Sequence, residues 1–150
     1  MLIRDATLSD LDAIISIDRH TSGMEKPAYW RETYDLYRGK REGGYFLVAE
    51  SQNEVIGFIV GEIRAWEFGS PPCGWVFAIG VLGDHRLHGV GTSLLDGICE
   101  RFRRAGISKV RTMVAPNRRD VLAFFRSQGM MAGPYLELEK ELSIDAPPSA

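Results

Sequence analysis

The sequence contains few cysteines, no long apolar run and no excess of basic charge. Its two cysteines, Cys73 and Cys99, are too few for a disulfide framework and lack the paired spacing of a zinc site, so no metal is expected. No stretch approaches the roughly 18 consecutive apolar residues of a membrane-spanning helix. The 18 basic side chains are outnumbered by 20 acidic ones, which argues against a dedicated nucleic-acid-binding protein. We therefore expect neither a membrane nor a nucleic acid as a partner.

The remaining composition is that of an ordinary globular domain. The 150 residues are 45% apolar and 25% charged, which is typical of one domain with a sizeable core. We predict a single domain over residues 1–144 and a disordered tail over residues 145–150, whose Ala-Pro-Pro-Ser-Ala ending offers no apolar face. The first residues, from Met1 to Asp5, already resemble folded sequence rather than a signal or transit peptide. A cytoplasmic location is therefore expected.

Hydrophobic periodicity predicts strands and helices along the whole chain. A capping box at Thr7 and Asp10 predicts the first helix, and Pro27 predicts the first turn of the second. Two further helices are predicted, one after residue 89 and one over Val121–Ser127. The predicted strands are Leu2–Arg4, Tyr45–Glu50, Val55–Glu67, Trp75–Val81, Lys109–Ala115 and Leu136–Leu142. This order predicts an α/β fold with a mixed central sheet flanked by helices.

A short loop with two glycines joins the apolar strand Trp75–Val81 to an amphipathic helix. Free N–H groups at the start of that helix can bind an anion, and Gly89 and Gly91 allow a phosphate to approach the backbone closely. The loop lacks the Gly-Lys-Ser/Thr ending of a P-loop, and Leu94 replaces the third glycine of a dinucleotide fingerprint. Taken alone, the two glycines are equally well explained by a tight turn between strand and helix.

The context of this loop resembles the signature of a known family. Arg86, Gly89 and Gly91 form an Arg-x-x-Gly-x-Gly pattern between strand and helix, which is similar to the signature of the GCN5-related N-acetyltransferase (GNAT) family. The resemblance covers about the whole chain, because Gly57–Gly61 resembles the third strand and Val121–Met130 resembles a C-terminal segment of the family. It implies the acyl-CoA N-acyltransferase fold with acetyl-CoA as co-substrate, and it is compatible with a homodimer.

The resemblance also implies which residues bind acetyl-CoA. The strand before the loop would pair with the pantetheine arm through its backbone, and the loop and helix start would bind the pyrophosphate. The implied cofactor-binding residues are Ile79, Gly80, Val81, Arg86, Leu87, His88, Gly89, Val90, Gly91, Thr92, Asn117 and Phe125. Core packing is the alternative explanation for Gly80.

The chain departs from the family at the positions expected for a catalytic acid and base. Phe125 stands where many members carry a tyrosine that protonates the leaving thiolate, and Trp75 and Met113 stand where some members carry a glutamate. A base is still needed, because an amine must lose a proton before it attacks a thioester. Glu62 on the preceding strand is the candidate general base, with Glu67 as a second candidate. The alternative for Glu62 is a solvated strand residue.

Aromatic side chains and local charge indicate what else the site would bind. The second predicted helix carries an unusual density of aromatic residues on one face. The family's acceptor pocket lies beside the N-terminal helices, the third strand and the last hairpin, so Tyr29, Trp30, Tyr34, Tyr37 and Trp66 are candidate substrate-binding walls, with the core as their alternative place. Residues 86–119 carry a net charge of +6 and the remainder carries −8. A basic rim would attract the phosphates of acetyl-CoA, whereas a solvated helix face is the alternative for any single arginine.

The sequence therefore predicts an enzyme, an acetyl-CoA-dependent N-acetyltransferase. It would move the acetyl group to a primary amine, on a small molecule or a peptide, by direct nucleophilic attack. Cys73 would serve as a nucleophile only with a histidine nearby. A non-catalytic acyl-CoA-binding or sensing module is the alternative, because the family's tyrosine and glutamates are missing.

Overall fold

The computed structural model describes residues 1–38, 43–85 and 88–144 of the chain. The chain forms two units, Met1–Met113 and Val114–Ala150, and each is described by itself. The expected tail at residues 145–150 and two expected cofactor-binding residues, Arg86 and Leu87, lie outside the described residues. One domain over residues 1–144 stays a prediction.

A five-stranded mixed sheet forms the centre of the first unit. Its strands lie in the order β1-β2-β3-β4-β5, and the pairs from β1 to β4 are antiparallel while β4 and β5 run parallel. The prediction of a mixed sheet is therefore confirmed. The strands are β1 (Leu2–Asp5), β2 (Gly44–Ser51), β3 (Glu54–Arg64), β4 (Cys73–Val81) and β5 (Val110–Arg111).

Three α-helices cover the two faces of this sheet: α1 (Leu11–Ser22), α2 (Pro27–Tyr37) and α3 (Val90–Arg104). On one face, α1 and α2 contribute Ile14 and Trp30 to a buried cluster with Phe58 of β3. On the other face α3 approaches the strands so closely that a Cβ on Gly61 would lie 2.8 Å from Ile98 Cδ1. The helices therefore flank the sheet as predicted.

The helices follow the apolar spacing in the sequence. The predicted stripe of α3 (Leu94, Leu95, Ile98 and Phe102) is buried along its whole length. Pro27 occupies the first turn of α2, where a backbone N–H would have no partner within the helix, so the absence of this group in proline costs no hydrogen bond. Short 3₁₀ turns over Leu8–Asp10, Glu67–Gly69 and Gly83–His85 lie between the main elements.

The turns that follow β2 and β3 differ in length, and each contains residues with positive φ. Gln52 and Asn53 both have positive φ, 51° and 62°, as a two-residue turn between right-twisted strands requires. β3 ends at Arg64, whereas the sequence predicted a strand through Glu67. The reason is local, because Trp66 has a φ of 62° and this left-handed backbone cannot continue a strand.

The second unit contains α4 (Arg119–Ser127), followed by Gly129 with a φ of 87°. This helix agrees with the predicted one over Val121–Ser127. In the first unit, the strand predicted over Lys109–Ala115 is confirmed only over Val110–Arg111. In the second unit, the strand predicted over Leu136–Leu142 is wrong, because these residues have no strand structure. Alternating apolar residues indicate a strand, but a strand also needs a partner for its backbone, which periodicity alone does not supply. Leu136 is accordingly 89% exposed.

A buried carboxylate links β1 to the start of the first helix. Asp10 accepts hydrogen bonds from Thr7 N–H (2.7 Å) and from Arg4 Nη1 (2.7 Å), so the predicted capping box is present. Arg4 also donates to Glu50 Oε2 on β2 at 3.0 Å. Burial alone would raise the pKa of Asp10, but the hydrogen bonds from Arg4 and Thr7 outweigh burial and hold it below its ordinary value of 3.8.

We predict that Asp10→Asn lowers the free energy of unfolding by about 1–3 kcal/mol, because it leaves Arg4 without its charged partner. Since the pKa of Asp10 is lowered by folding, its contribution is complete above the ordinary value and is lost as the pH falls through the folded value. Urea unfolding at pH 7 and at pH 3 measures both effects. Asp12→Asn, at an exposed position of α1, is the matched control. Equal stability of the two variants at pH 7 would contradict the prediction.

Candidate active site

One edge of β4 opens toward the loop that follows it. β4 pairs with β3 along its whole length. Its pairing with β5, among the described residues, is limited to Gly74 and Trp75, which lie opposite Val110 and Arg111. Residues 79–81 therefore follow the point at which the two parallel strands part. Such a strand edge can accept an extended chain that carries amide groups.

The start of α3 lies directly beyond this edge. Gly89 precedes the helix with a φ of 81°, a conformation that glycine adopts readily. Ser93 N–H donates to Gly89 O at 3.0 Å, so the N–H groups of the turn before it point out of the helix end. His88 and Gly89 are exposed, and Val90 is buried and anchors the helix. The helix dipole adds partial positive charge at this end, which favours an anion.

Gly80 has a packing role in addition to its place at the β4 edge. A Cβ on Gly80 would lie 2.6 Å from Phe58 Cε1 and 3.1 Å from Ile17 Cγ2. The core therefore requires a glycine here, as the alternative explanation in the sequence analysis stated. Its backbone still lies between Ile79 and Val81 on the strand that leads to the loop. Binding of a ligand at these three residues stays a prediction.

Glu62 lies near the end of β3, and two donors hold its carboxylate. The hydroxyl of Tyr37 donates to Oε2 at 2.7 Å, and Arg64 Nε donates to Oε1 at 3.3 Å. The Glu62 side chain is 25% exposed, so the carboxylate is accessible as well as anchored. Glu67, the second candidate, is more exposed and lies 4.0 Å from Arg64 Nη1. Of the two carboxylates, Glu62 has the better defined position.

A bulge in β4 brings an extra aromatic residue to this face of the sheet. The pairing register between β3 and β4 shifts so that Val60 lies opposite Ala78 and Gly61 lies opposite Val76. Phe77 is the additional residue, and its ring centroid lies 6.0 Å from that of Tyr37. Tyr37 therefore contacts both Phe77 and Glu62. A local bulge of this kind redirects a side chain without breaking the sheet.

The candidate substrate-binding aromatics occupy three different environments. Trp30 is 1% exposed and belongs to the core, where its Nε1 donates to Asp18 Oδ2 at 3.0 Å. Tyr34 is partly buried against the same core, and Tyr29 lies at its exposed edge. Trp66 is 69% exposed in the turn after β3. Of these four aromatics, Trp66 is therefore mostly at the surface, and Tyr29 is 44% exposed.

Two predicted cofactor-binding residues lie in the second unit. Asn117 is exposed in the turn before α4, and Phe125 is buried within that helix. Phe125 packs edge-on against Phe124, with ring centroids 5.1 Å apart. Their binding roles stay predictions.

Several arginines of the basic segment are paired with acidic groups. Arg103 and Arg104 contact Glu100 at 3.3 Å and 3.4 Å, and Arg101 lies 3.8 Å from Asp5. These exposed pairs are those of an ordinary solvated helix face, the alternative weighed for each arginine. Among the described residues, no three His, Cys, Asp or Glu side chains lie together in a way that could hold a metal ion. No helix in the described ranges is long and apolar enough to cross a membrane.

The sequence did not reveal the contact between Tyr37 and Glu62, because the two residues are 25 positions apart on different elements. The dense aromatic face of α2 is the one signal that pointed toward Tyr37. The β4 bulge at Phe77 has no signal in the apolar run Trp75–Val81. The contact depends on how α2 packs on the sheet, and the bulge depends on the register between β3 and β4.

A protein-family model and individual relatives match the greater part of the chain. Residues 11–130 match the model described as Acetyltransferase (GNAT) family. An N-alpha-acetyltransferase of Sulfolobus acidocaldarius is 38% identical over 101 residues, which cover 63% of this chain and 57% of that protein. The L-2,4-diaminobutyric acid acetyltransferase of Nocardia farcinica is 27% identical over 103 residues, which cover 69% of this chain and 51% of that protein. The chain thus matches little more than half the length of these relatives.

Solved structures share the fold at low sequence identity. The aminoglycoside N-acetyltransferase AAC(6')-Iy in complex with CoA superposes with a TM-score of 0.81 at 15% identity. The superposition covers 93% of this chain and 93% of that one. At this identity the likeness concerns the fold alone.

We predict that neither thiol of the native chain reacts rapidly with a thiol-specific reagent. Cys73 is buried at the start of β4, and burial raises the pKa of the Cys99 thiol. Reaction with an aromatic disulfide reagent at pH 8 is expected to be about 100-fold slower than in urea-unfolded protein. A fast phase of one thiol per chain in the native state would contradict this prediction, and it would restore Cys73 as a candidate nucleophile if Cys73→Ser removed it.

Proposed function

Since the chain belongs to the GNAT family of acetyltransferases, as its Arg-x-x-Gly-x-Gly pattern predicted, we propose that it transfers an acetyl group from acetyl-CoA to a primary amine. The observation that supports this most directly is the path formed by residues 79–81 at the parted end of β4 and residues 88–90 at the start of α3. This path offers a strand edge for an amide-bearing arm and a helix end for a pyrophosphate. The fold match to a protein in complex with CoA supports the same ligand.

Acetyl-CoA would bind along this path. The backbone of residues 79–81 would pair with the amide groups of pantetheine, as an added strand would. The pyrophosphate would lie at the start of α3, where Gly89 has no side chain to obstruct it and Thr92 adds a hydroxyl group. Backbone N–H groups near the thioester would stabilise the negative charge that develops on its oxygen.

Glu62 is proposed as the general base of the transfer. Its carboxylate would take the proton from the incoming ammonium group, so that the nitrogen lone pair can attack the thioester carbonyl carbon. A C–N bond forms, the C–S bond breaks, and the thiolate of CoA leaves with the electron pair of that bond. The bonded nitrogen then gives its surplus proton to this thiolate, so that the products are the amide and the thiol of CoA. No tyrosine is needed to protonate the leaving group, since the thiol of CoA has a pKa near that of cysteine and leaves readily as thiolate. Phe125 is therefore compatible with catalysis.

The acceptor is proposed only as a primary amine on a small molecule or a peptide. The names of the relatives specify different acceptors, an N-alpha position in one and L-2,4-diaminobutyric acid in another. The exposed rings of Phe77 and Trp66 on the same unit as Glu62 favour an amine with an apolar body. A polyanionic acceptor would be repelled by Glu62 and Glu67.

Binding of acetyl-CoA tests the placement of the pyrophosphate. We expect calorimetry to detect binding to the wild-type chain and Gly89→Glu to weaken it about 100-fold, because a carboxylate would enter the phosphate site. Gly106→Glu is the matched control: Gly106 also has a positive φ, 83°, and open space around it, but lies beyond the other end of α3. Equal losses in the two variants would point to backbone strain and contradict this placement. No binding to the wild type at millimolar acetyl-CoA would overturn the proposal.

Amine-dependent release of CoA tests the chemistry. With a panel of primary amines and a thiol reagent, we expect the wild type to release CoA and Glu62→Gln to lower kcat about 100-fold, which is the usual contribution of a general base. Glu54→Gln, at an exposed position of the same strand, should leave kcat unchanged. Full activity of Glu62→Gln would remove Glu62 as the base. Binding without release for any amine would instead favour a non-catalytic module.

A further inference from the structure

The hydrogen bond between Tyr37 and Glu62 joins the end of α2 to β3 at the candidate base. Tyr37 is 7% exposed, so its hydroxyl meets the carboxylate from the buried side. The donor-acceptor distance of 2.7 Å is typical of a strong bond from a hydroxyl to a charged oxygen. The ring therefore forms a buried support beneath a partly exposed carboxylate.

The surrounding residues allow this position for the Tyr37 ring. Gly44 on β2 lies beneath the ring, and a Cβ there would overlap its Cδ1 and Cε1 atoms. Phe77, displaced by the β4 bulge, packs beside the ring. Gly44 and the inserted Phe77 thus enclose the Tyr37 ring. This packing directs the Tyr37 hydroxyl at Glu62.

The second oxygen of the carboxylate is held from the same strand. Arg64 Nε donates to Oε1, and the guanidinium of Arg64 lies 5.1 Å from the centroid of the Trp75 ring. Both oxygens of Glu62 are therefore engaged, one by a buried neutral donor and one by a cation at the surface. Neither donor blocks the exposed quarter of the side chain.

We propose that Tyr37 is a positioning residue for the acceptor amine, acting through Glu62. This inference rests on the proposed function. A glutamate on a strand end has three rotatable side-chain bonds and samples several rotamers when it is free. The Tyr37 hydroxyl selects the rotamer in which the carboxylate faces the incoming amine, so the base spends more of its time in reach of the proton. Tyr37 itself touches neither the amine nor acetyl-CoA.

Tyr37→Phe tests this role, because it removes one oxygen and keeps the ring that packs between Gly44 and Phe77. We expect kcat for the amine to fall about tenfold, while the affinity for acetyl-CoA stays unchanged. Tyr45→Phe is the matched control: Tyr45 lies on β2 and packs against Phe102 of α3, on the opposite face of the sheet. Thermal unfolding and acetyl-CoA calorimetry on both variants establish that each is folded.

A double-mutant cycle separates positioning from general structural damage. If Tyr37 acts through Glu62, adding Tyr37→Phe to Glu62→Gln lowers kcat no further. An independent tenfold loss in the double variant would overturn the positioning role, as would unchanged kcat in Tyr37→Phe alone. In both cases the proposed function stands as long as the wild type releases CoA with an amine. No amine-dependent release by the wild type would overturn the proposed function together with this inference.

Discussion

The arrangement of this protein depends on the unequal pairing of β4 with its two neighbours. β3 pairs with β4 over its whole length, whereas β5 pairs with it only at Gly74 and Trp75 in the described residues. The antiparallel pairing holds β4 within the sheet, and the parallel pairing ends early enough to leave an edge. That edge leads directly to the loop and to the start of α3. A single strand thus serves the core and the proposed ligand at the same time.

The two faces of the sheet divide the remaining tasks. On one face, Gly61 and Gly74 let the later turns of α3 approach the strands, and Gly57, which lies opposite Val81 at the end of β4, gives room to Val90 at the helix start. On the other face, α1 and α2 bury Trp30 and Phe58 and leave Tyr37 at the boundary of the core. Glu62 and Phe77 lie at this boundary. Phosphate binding and amine chemistry would therefore depend on different helices, which pack on opposite faces of the same sheet.

Local patterns predicted most of the first unit. The apolar spacing of α3, the proline at the start of α2 and the capping box at Thr7 are short-range features, and all three are present. Apart from the end of β3, which a left-handed residue terminates locally, the predictions that failed concern strands that needed a backbone partner from a distant segment. The alternating segment Leu136–Leu142 and the longer strand after Lys109 had suitable side chains but lacked the backbone pairing that makes a strand. Periodicity describes side chains, whereas a sheet is built from backbone hydrogen bonds between distant segments.

The sequence by itself determined the mixed sheet flanked by helices and the loop between β4 and α3, because apolar periodicity and two glycines before an amphipathic helix are local signals. It determined the family through a resemblance that covers about the whole chain, and not through the two glycines alone. It could name Glu62 only by elimination. Tertiary structure decided what surrounds that carboxylate, since Tyr37 reaches it across 25 residues and Phe77 arrives through a shift in strand register. It also decided that the Phe58 ring leaves no room for a side chain at residue 80, and that Trp30 belongs to the core. The physical reason is that side-chain environments arise from packing between elements, which no single stretch of sequence contains.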